Sequence, residues 1–375
     1  MKNNLIVSTL SIIFVSLIIG VMSGGQAKAC TRVVYIGENN IVVTARSMDW
    51  NEDLHENLWA FPRGIKRNGE VVDKNGKAAV VNPIEWISKY GSVVASAAQD
   101  ISTSDGMNEK GLVANLLYLA ESEYVKPTLG DKRKPLSVSI WIQYFLDNYA
   151  TVNEAVDDFE KNAPFYVVPT KVPSASGQEE AAGTLHVSIS DSTGDSAIFE
   201  YIKGKLVIHH SKDYQVMTNS PVFEHQLSIN TYWKEIGGTV MLPGTYRAAD
   251  RFVRASYYIN QLDKNYSDSN QAVAGTLSVI RNASTPLIVK GMNAPNLAPT
   301  IFRTLADHNN LRYFYESAYT PNLFWVDLKK MELDAGKPIK KLTLTDGAIF
   351  AGETSAKFVT TAPFDFAKAV LNLNQ

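Results

Sequence analysis

The only cysteine of this 375-residue chain, Cys30, stands directly behind a stretch that reads as a removable export signal. Lys2 precedes an apolar run from Leu5 to Met22, Gly24 and Gly25 follow, and Ala27-Lys28-Ala29 closes the stretch with the small-x-small pattern of a signal cleavage site. Cleavage after Ala29 is expected to remove residues 1–29, leave 30–375 as a single domain and make Cys30 its first residue. The apolar run approaches the length that spans a bilayer. No stop-transfer cluster of charges follows it, so no stable membrane anchor is expected after processing.

An exported chain is free to form disulfides, yet Cys30 has no partner in its own chain. Three readings of such a thiol stand side by side. It carries a lipid, as in an envelope-anchored binding protein; it is a nucleophile whose α-amine is freed by cleavage; or it is a small buried hydrophobe. Lys28 at the −2 position and Ala27 at −3 fit poorly with lipid attachment. Removing Lys2 and Lys28 shifts the formal net charge from −2 to −4, which gives no reason to expect a nucleic-acid partner.

The β-branched runs 31–36 and 41–46, separated by Gly37-Glu38-Asn39-Asn40, read as a hairpin with a four-residue loop. Further strands are expected at 92–97, 111–119, 166–169, 184–190, 197–202, 206–210 and 215–218, then at 301–305, 312–317, 323–328 and 341–343. Helices are expected at 136–149, 152–159, 248–262 and 271–281, with Thr151 capping the second and Glu154 three residues on. Neighbouring strands joined by Gly- or Asp-rich turns, without regular β-α alternation, indicate an α+β layered fold with antiparallel sheets. The stretch 173–183 reads as an exposed loop and Asp105–Gly111 as a tight turn that shapes the fold.

An N-terminal cysteine has its own base, because an α-amine titrates near pKa 7.7–8 and can take the thiol proton. No catalytic histidine is needed. The six histidines show no metal-ligand spacing and read as surface or half-buried residues, so neither metal nor cofactor is expected. The second hairpin strand brings Arg46, Asp49 and Trp50 back beside Cys30. Arg46 would favour the thiolate and Asp49 would orient the α-ammonium. As an isolated Arg-x-x-Asp, the same pair is an ordinary surface ion pair of little worth.

Five blocks in order, Cys30-Thr31-Arg32, Thr44-Ala45-Arg46-Ser47-Met48-Asp49-Trp50, Ser104 to Leu112, Met217-Thr218-Asn219-Ser220-Pro221 and Leu242-Pro243-Gly244 with Arg251-Phe252-Val253-Arg254, resemble the choloylglycine hydrolase family. That family groups conjugated bile salt hydrolases with penicillin V acylases. The resemblance implies an N-terminal nucleophile (Ntn) hydrolase with a four-layer αββα sandwich. It also implies catalytic roles for Cys30, Arg46, Asp49, Asn219 and Arg251. Asn219 would supply half of an oxyanion hole through its side-chain amide, and Tyr118 the other half through its main-chain N–H.

Tyr118, where bile salt hydrolases tend to carry Asn, resembles the penicillin V acylases. With the export signal, this resembles the Gram-negative branch, whose members also deacylate N-acyl homoserine lactones, and it implies a periplasmic enzyme with a part in quorum quenching. The expected partner is a small acyl amide, with bile salts as the alternative and a Cys30-lipidated envelope protein as the rival of another class. A homotetramer follows by analogy, although the interval from Asn219 to Arg251 lacks the longer insertion that helps build the tetramer in bile salt hydrolases. Trp50 and Trp86 are candidates for an aromatic wall against the acyl group.

Overall fold

The computed structural model describes residues 29–128, 131–171, 183–237, 241–287, 298–320, 322–344 and 347–371. The hairpin forms where the β-branched runs place it, as β1 (Ala29–Ile36) and β2 (Val42–Asp49). Its register sets Cys30 opposite Met48, Thr31 opposite Ser47 and Arg32 opposite Arg46. Side chains alternate between the two faces of a strand. Cys30, Arg32, Arg46 and Met48 therefore share one face, while Thr31, Ser47 and Asp49 share the other.

Among the described residues, β1 and β2 belong to a seven-stranded sheet that continues through Thr300–Asp307, Arg312–Ser317 and Leu323–Asp327, with Val216–Met217 on the far side of β1. A nine-stranded sheet has Val113–Tyr118 near its middle, between Leu185–Ser190 and Ser102–Asn108. Nearly all neighbours in both sheets are antiparallel; the exception is the short edge pair of Leu323–Asp327 with Gly352–Glu353. Helices Ala248–Gln261 and Ser269–Ala283 pack on β1 and β2, burying Phe252, Ile259 and Ile280 against Val33, Tyr35 and Val43. Helices Trp141–Asn148 and Val152–Asn162 cover the other sheet. There Phe145, Phe159 and Phe199 form a ring cluster with centroids 4.9–5.2 Å apart. Such pairs add about 0.5–1.5 kcal/mol each beyond their buried area. The result is the expected α+β arrangement of helix, sheet, sheet and helix.

The layer between the sheets is polar. Arg32 is fully buried there, and burial pulls its guanidinium down to about 9. Its charge is met by the carbonyls of Tyr214 and Ile189 and by Ser196 Oγ at 2.9–3.3 Å. A buried guanidinium without such partners would cost several kcal/mol. His308 and His186 are also fully buried, which corrects their reading as surface or half-buried residues: in both cases a partner on a neighbouring element takes a ring nitrogen.

Several boundaries move for local reasons. The helix expected from 136 begins at Trp141, because Leu136 and Ser137 pair in parallel with Val167 and Val168. Thr151 caps its helix as expected, accepting from the Glu154 N–H at 3.2 Å. The helix Phe223–Ile236 has no sequence forecast, since only Phe223 and Gln226 of it are buried and its apolar stripe is weak. The block read as a tight turn is mostly the strand Ser102–Asn108, with the turn confined to its end; Asp105 is buried and accepts from Tyr313 Oη and Asn115 Nδ2. The loop expected at 173–183 falls almost wholly outside the described residues, as do residues 1–28.

Candidate active site

Cys30 is buried, and its two ends face different chemistry. On the inter-sheet face its Sγ lies 3.7 Å from Arg46 Nη2 and 3.8 Å from Met48 Sδ. Arg46 Nη2 also reaches the Leu116 carbonyl at 2.9 Å, which fixes the guanidinium between the sheets. Among the described residues its Nε and Nη1 have no hydrogen-bond partner. Burial pushes the Cys30 thiol up; Arg46 opposes this, Asp49 adds to it, and the Asp49 main-chain N–H and Arg251 pull it back. Burial also pushes the Asp105 carboxyl up, opposed by Arg46, Tyr313, Asn115 and Thr304.

The main chain of Cys30 is held from the other face. Its N–H donates to Asn219 Oδ1 at 2.5 Å, and its carbonyl accepts from Arg251 Nη1 at 2.7 Å. Arg251 Nη2 donates to the same Asn219 oxygen at 2.8 Å, and Nη1 also donates to Thr31 Oγ1. Helix Ala248–Gln261 delivers this fully buried arginine, whose Nε is anchored on the Tyr246 carbonyl. Burial pulls Arg251 down, and Asp49 and Cys30 raise it.

Asp49, at the end of β2, accepts from Thr300 Oγ1 at 2.5 Å through Oδ1. Among the described residues its Oδ2 has no hydrogen-bond partner, and it lies 3.5 Å from Arg251 Nη1. Burial pushes the Asp49 carboxyl up, opposed by Arg251, Thr300, Ser47 and Arg46. The acid thus holds one open acceptor beside the Cys30 main chain.

Asn219 Nδ2 donates to the Tyr118 carbonyl at 2.7 Å. An amide nitrogen has two hydrogens, and this uses one. In the ladder with Leu185–Ser190, Leu119 N–H donates to the Thr184 carbonyl. Directions alternate along a strand, so the N–H and carbonyl of Tyr118 turn together to the side where Asn219 sits. The segment carrying Asn219 is tied down by Gln226, which donates to the Asn219 and Pro221 carbonyls and accepts from Thr218 Oγ1 at 3.1 Å.

A mostly apolar cleft, enclosing with its open mouth about 670 Å³, leads to the thiol between Met48, Trp50, Ile101, Leu116 and Tyr118. Trp50 stands where the sequence reading places it. Trp86 does not: its Nε1 donates to Asp147 Oδ2 at 2.8 Å and its ring meets Tyr144 edge-on at 5.0 Å, half-buried against the core on the other sheet's helical side. The structure therefore brings together Cys30, Arg46, Asp49, Trp50, Tyr118, Asn219 and Arg251 and leaves Trp86 out. It adds Met48, Thr31, Thr300, Asp105 and Gln226. Of these Thr31, Met48 and Asp105 lie inside the blocks already noted, whereas Thr300 and Gln226 carried no sequence signal. Among the described residues no group of three His, Cys, Asp or Glu side chains is placed to hold a metal ion.

Residues 30–341 match the family of linear amide C-N hydrolases, choloylglycine hydrolase family. The chain belongs to this family. It is 47% identical to the penicillin V acylase of Pectobacterium atrosepticum, over 98% of this chain and 99% of that one. The bile salt hydrolase/transferase of Clostridium perfringens is 28% identical over 64% of this chain and 74% of its own. The structure of penicillin V acylase from Agrobacterium tumefaciens superposes with a TM-score of 0.79 at 50% identity, covering 90% of this chain and 100% of that one. The thiol at the start of β1 thus belongs to an enzyme family that cleaves linear amide C–N bonds, and the match begins at Cys30 itself.

Proposed function

We propose that residues 1–29 are removed on export to the periplasm and that the mature protein is an acylase for penicillin V and N-acyl homoserine lactones. The α-amine takes the Cys30 thiol proton, and the thiolate attacks the amide carbonyl. Asn219 Nδ2 and the Tyr118 N–H stabilise the oxyanion. The leaving amine takes the proton back from the α-ammonium, and a thioester remains. Water, giving its proton to the same amine, then hydrolyses the thioester and restores the thiol.

The observation that carries this reading is the convergence on Cys30 itself. Asn219, Arg251 and the open Oδ2 of Asp49 lie around its main chain, while Arg46 is the charged side chain that faces the sulfur, with Met48 beside it. After cleavage the nitrogen gains hydrogens to donate, and Asp49 Oδ2 is the acceptor for one of them. A thioether-linked lipid would have to leave this buried position between Arg46 and Met48, which argues against the anchored-protein reading. The likeness to penicillin V acylases over nearly the full chain supports the choice of amide.

The test is a hydrolysis panel of penicillin V, N-acyl homoserine lactones and glycine- or taurine-conjugated bile salts, run beside Cys30→Ala. Turnover of the first two, lost in the variant, is the expected result; a preference for bile salts overturns the substrate assignment. Intact mass of the mature protein checks the free amine at Cys30, and light scattering checks the homotetramer that belongs to the same proposal.

A further inference from the structure

The family match ends at residue 341, but the cavity wall does not. Ala367 lines the cleft that holds Cys30. Three main-chain bonds lock it there: its N–H donates to the Ile101 carbonyl at 2.8 Å, and its own carbonyl accepts from Ser137 Oγ at 2.9 Å and Ser139 Oγ at 2.7 Å. Ile101 and Ser139 line the same cleft. The segment is anchored on both sides of this point. Before it, Phe364 and Phe366 are buried, Phe364 edge-on to Trp59 at 4.9 Å and Phe366 under Arg67 at 5.5 Å. After it, Ala369 and Val370 pair in parallel with Val71 and Val72.

We propose that segment 364–371 is a strap closing the acyl side of the Cys30 cleft, and that Ala367 sets the length of acyl chain the enzyme accepts. The inference rests on the acylase reading and deepens it. Ala367 is the one position of the strap that is neither core nor fully exposed: Phe366 before it is buried and Lys368 after it faces solvent. All its bonds run through the main chain, so a larger side chain occupies cleft volume without removing a hydrogen bond. One methylene in an apolar pocket changes discrimination by roughly tenfold or more.

The experiment measures kcat/KM for straight-chain N-acyl homoserine lactones from butanoyl to dodecanoyl in wild type, Ala367→Leu and Ala367→Gly. The ratio of the longest to the shortest substrate is expected to fall at least tenfold in Ala367→Leu and to rise in Ala367→Gly. If Ala367→Leu fails to fold, the rise in Ala367→Gly carries the test. Ratios unchanged in every folded variant overturn the strap proposal while leaving the acylase reading intact. Wild type inactive on the whole series and on penicillin V overturns the acylase reading instead, and the strap proposal with it.

Discussion

Asn219 Oδ1 lies 2.5 Å from the main-chain nitrogen of Cys30, so the residue that holds the nucleophile's backbone is also the one that presents an amide N–H toward Tyr118. In the proposed mechanism one end of the side chain fixes the attacking group and the other receives the charge that attack creates. Asn219→Ala should therefore lower kcat by about 10²–10³, the usual effect of losing one oxyanion donor. Tyr118→Phe leaves the main-chain donor in place and should stay within about tenfold of wild type. Steady-state kinetics on the two variants checks this, and equal losses in both would contradict the assignment.

Gln226 is a positioning residue for that same segment. Gln226→Glu keeps an acceptor for Thr218 but loses the donations to the Asn219 and Pro221 carbonyls. A displacement of the oxyanion donor by a fraction of an ångström should lower kcat about 10–100-fold with KM little changed. A drop in melting temperature with kcat intact would reduce Gln226 to a purely structural part.

In the proposed mature enzyme Asp49→Asn removes the carboxylate that would lie beside the α-ammonium. A neighbouring carboxylate favours the charged amine and holds its pKa up, and catalysis needs the neutral amine to accept the thiol proton. Its removal should shift the acid limb of the kcat/KM profile to lower pH by about one unit, alongside a loss of rate from the unoriented amine. A pH-rate profile from pH 4 to 9 reads both effects. An acid limb that stays in place would mean that Asp49 does not contact the amine.

The hairpin was legible because it is local: β-branched runs, a Gly-Asn loop and strand alternation bring Arg46 and Asp49 to Cys30 without any knowledge of the rest. Asn219 and Arg251 reach Cys30 across 189 and 221 residues, and no local rule of propensity or periodicity spans that distance; only their resemblance to known blocks revealed them. Thr300 and Gln226 had no such block and were invisible. The Asp105 block misled for the opposite reason. Asp, Gly and Asn are turn formers on an exposed edge, but here Tyr313 and Asn115 satisfy the carboxylate inside a sheet, which propensity cannot foresee.

Trp50 and Trp86 separate by their surroundings, and kinetics should separate them as well. Trp50→Ala opens the acyl cleft and should raise KM for penicillin V several-fold. Trp86→Ala removes the donor to Asp147 and a ring packed on Tyr144, so it should lower the melting temperature and leave KM unchanged. A KM effect from Trp86 would return it to the substrate wall.

His308 makes the fold sensitive to acid. Its Nδ1 lies 2.6 Å from the Gly111 carbonyl, which can only accept, so Nδ1 carries the hydrogen and Nε2 takes the Thr44 hydroxyl proton at 2.7 Å. The ring is neutral in the fold, and burial pulls its pKa down to about 4, against a small opposing pull from the Gly111 carbonyl. In the unfolded chain an ordinary histidine binds a proton near 6.5. Between these values the unfolded state holds more protons, so stability falls as pH drops through this window, by about 2 kcal/mol between pH 7.5 and 5. Gly111 stands at φ +84°, where a Cβ would come within 2.8 Å of the His308 carbonyl, so glycine is what lets the two segments approach this closely. Urea unfolding at the two pH values should show that His308→Gln is less stable at pH 7.5 but loses less on acidification than wild type. An equal loss in both proteins would show that His308 does not govern the acid response.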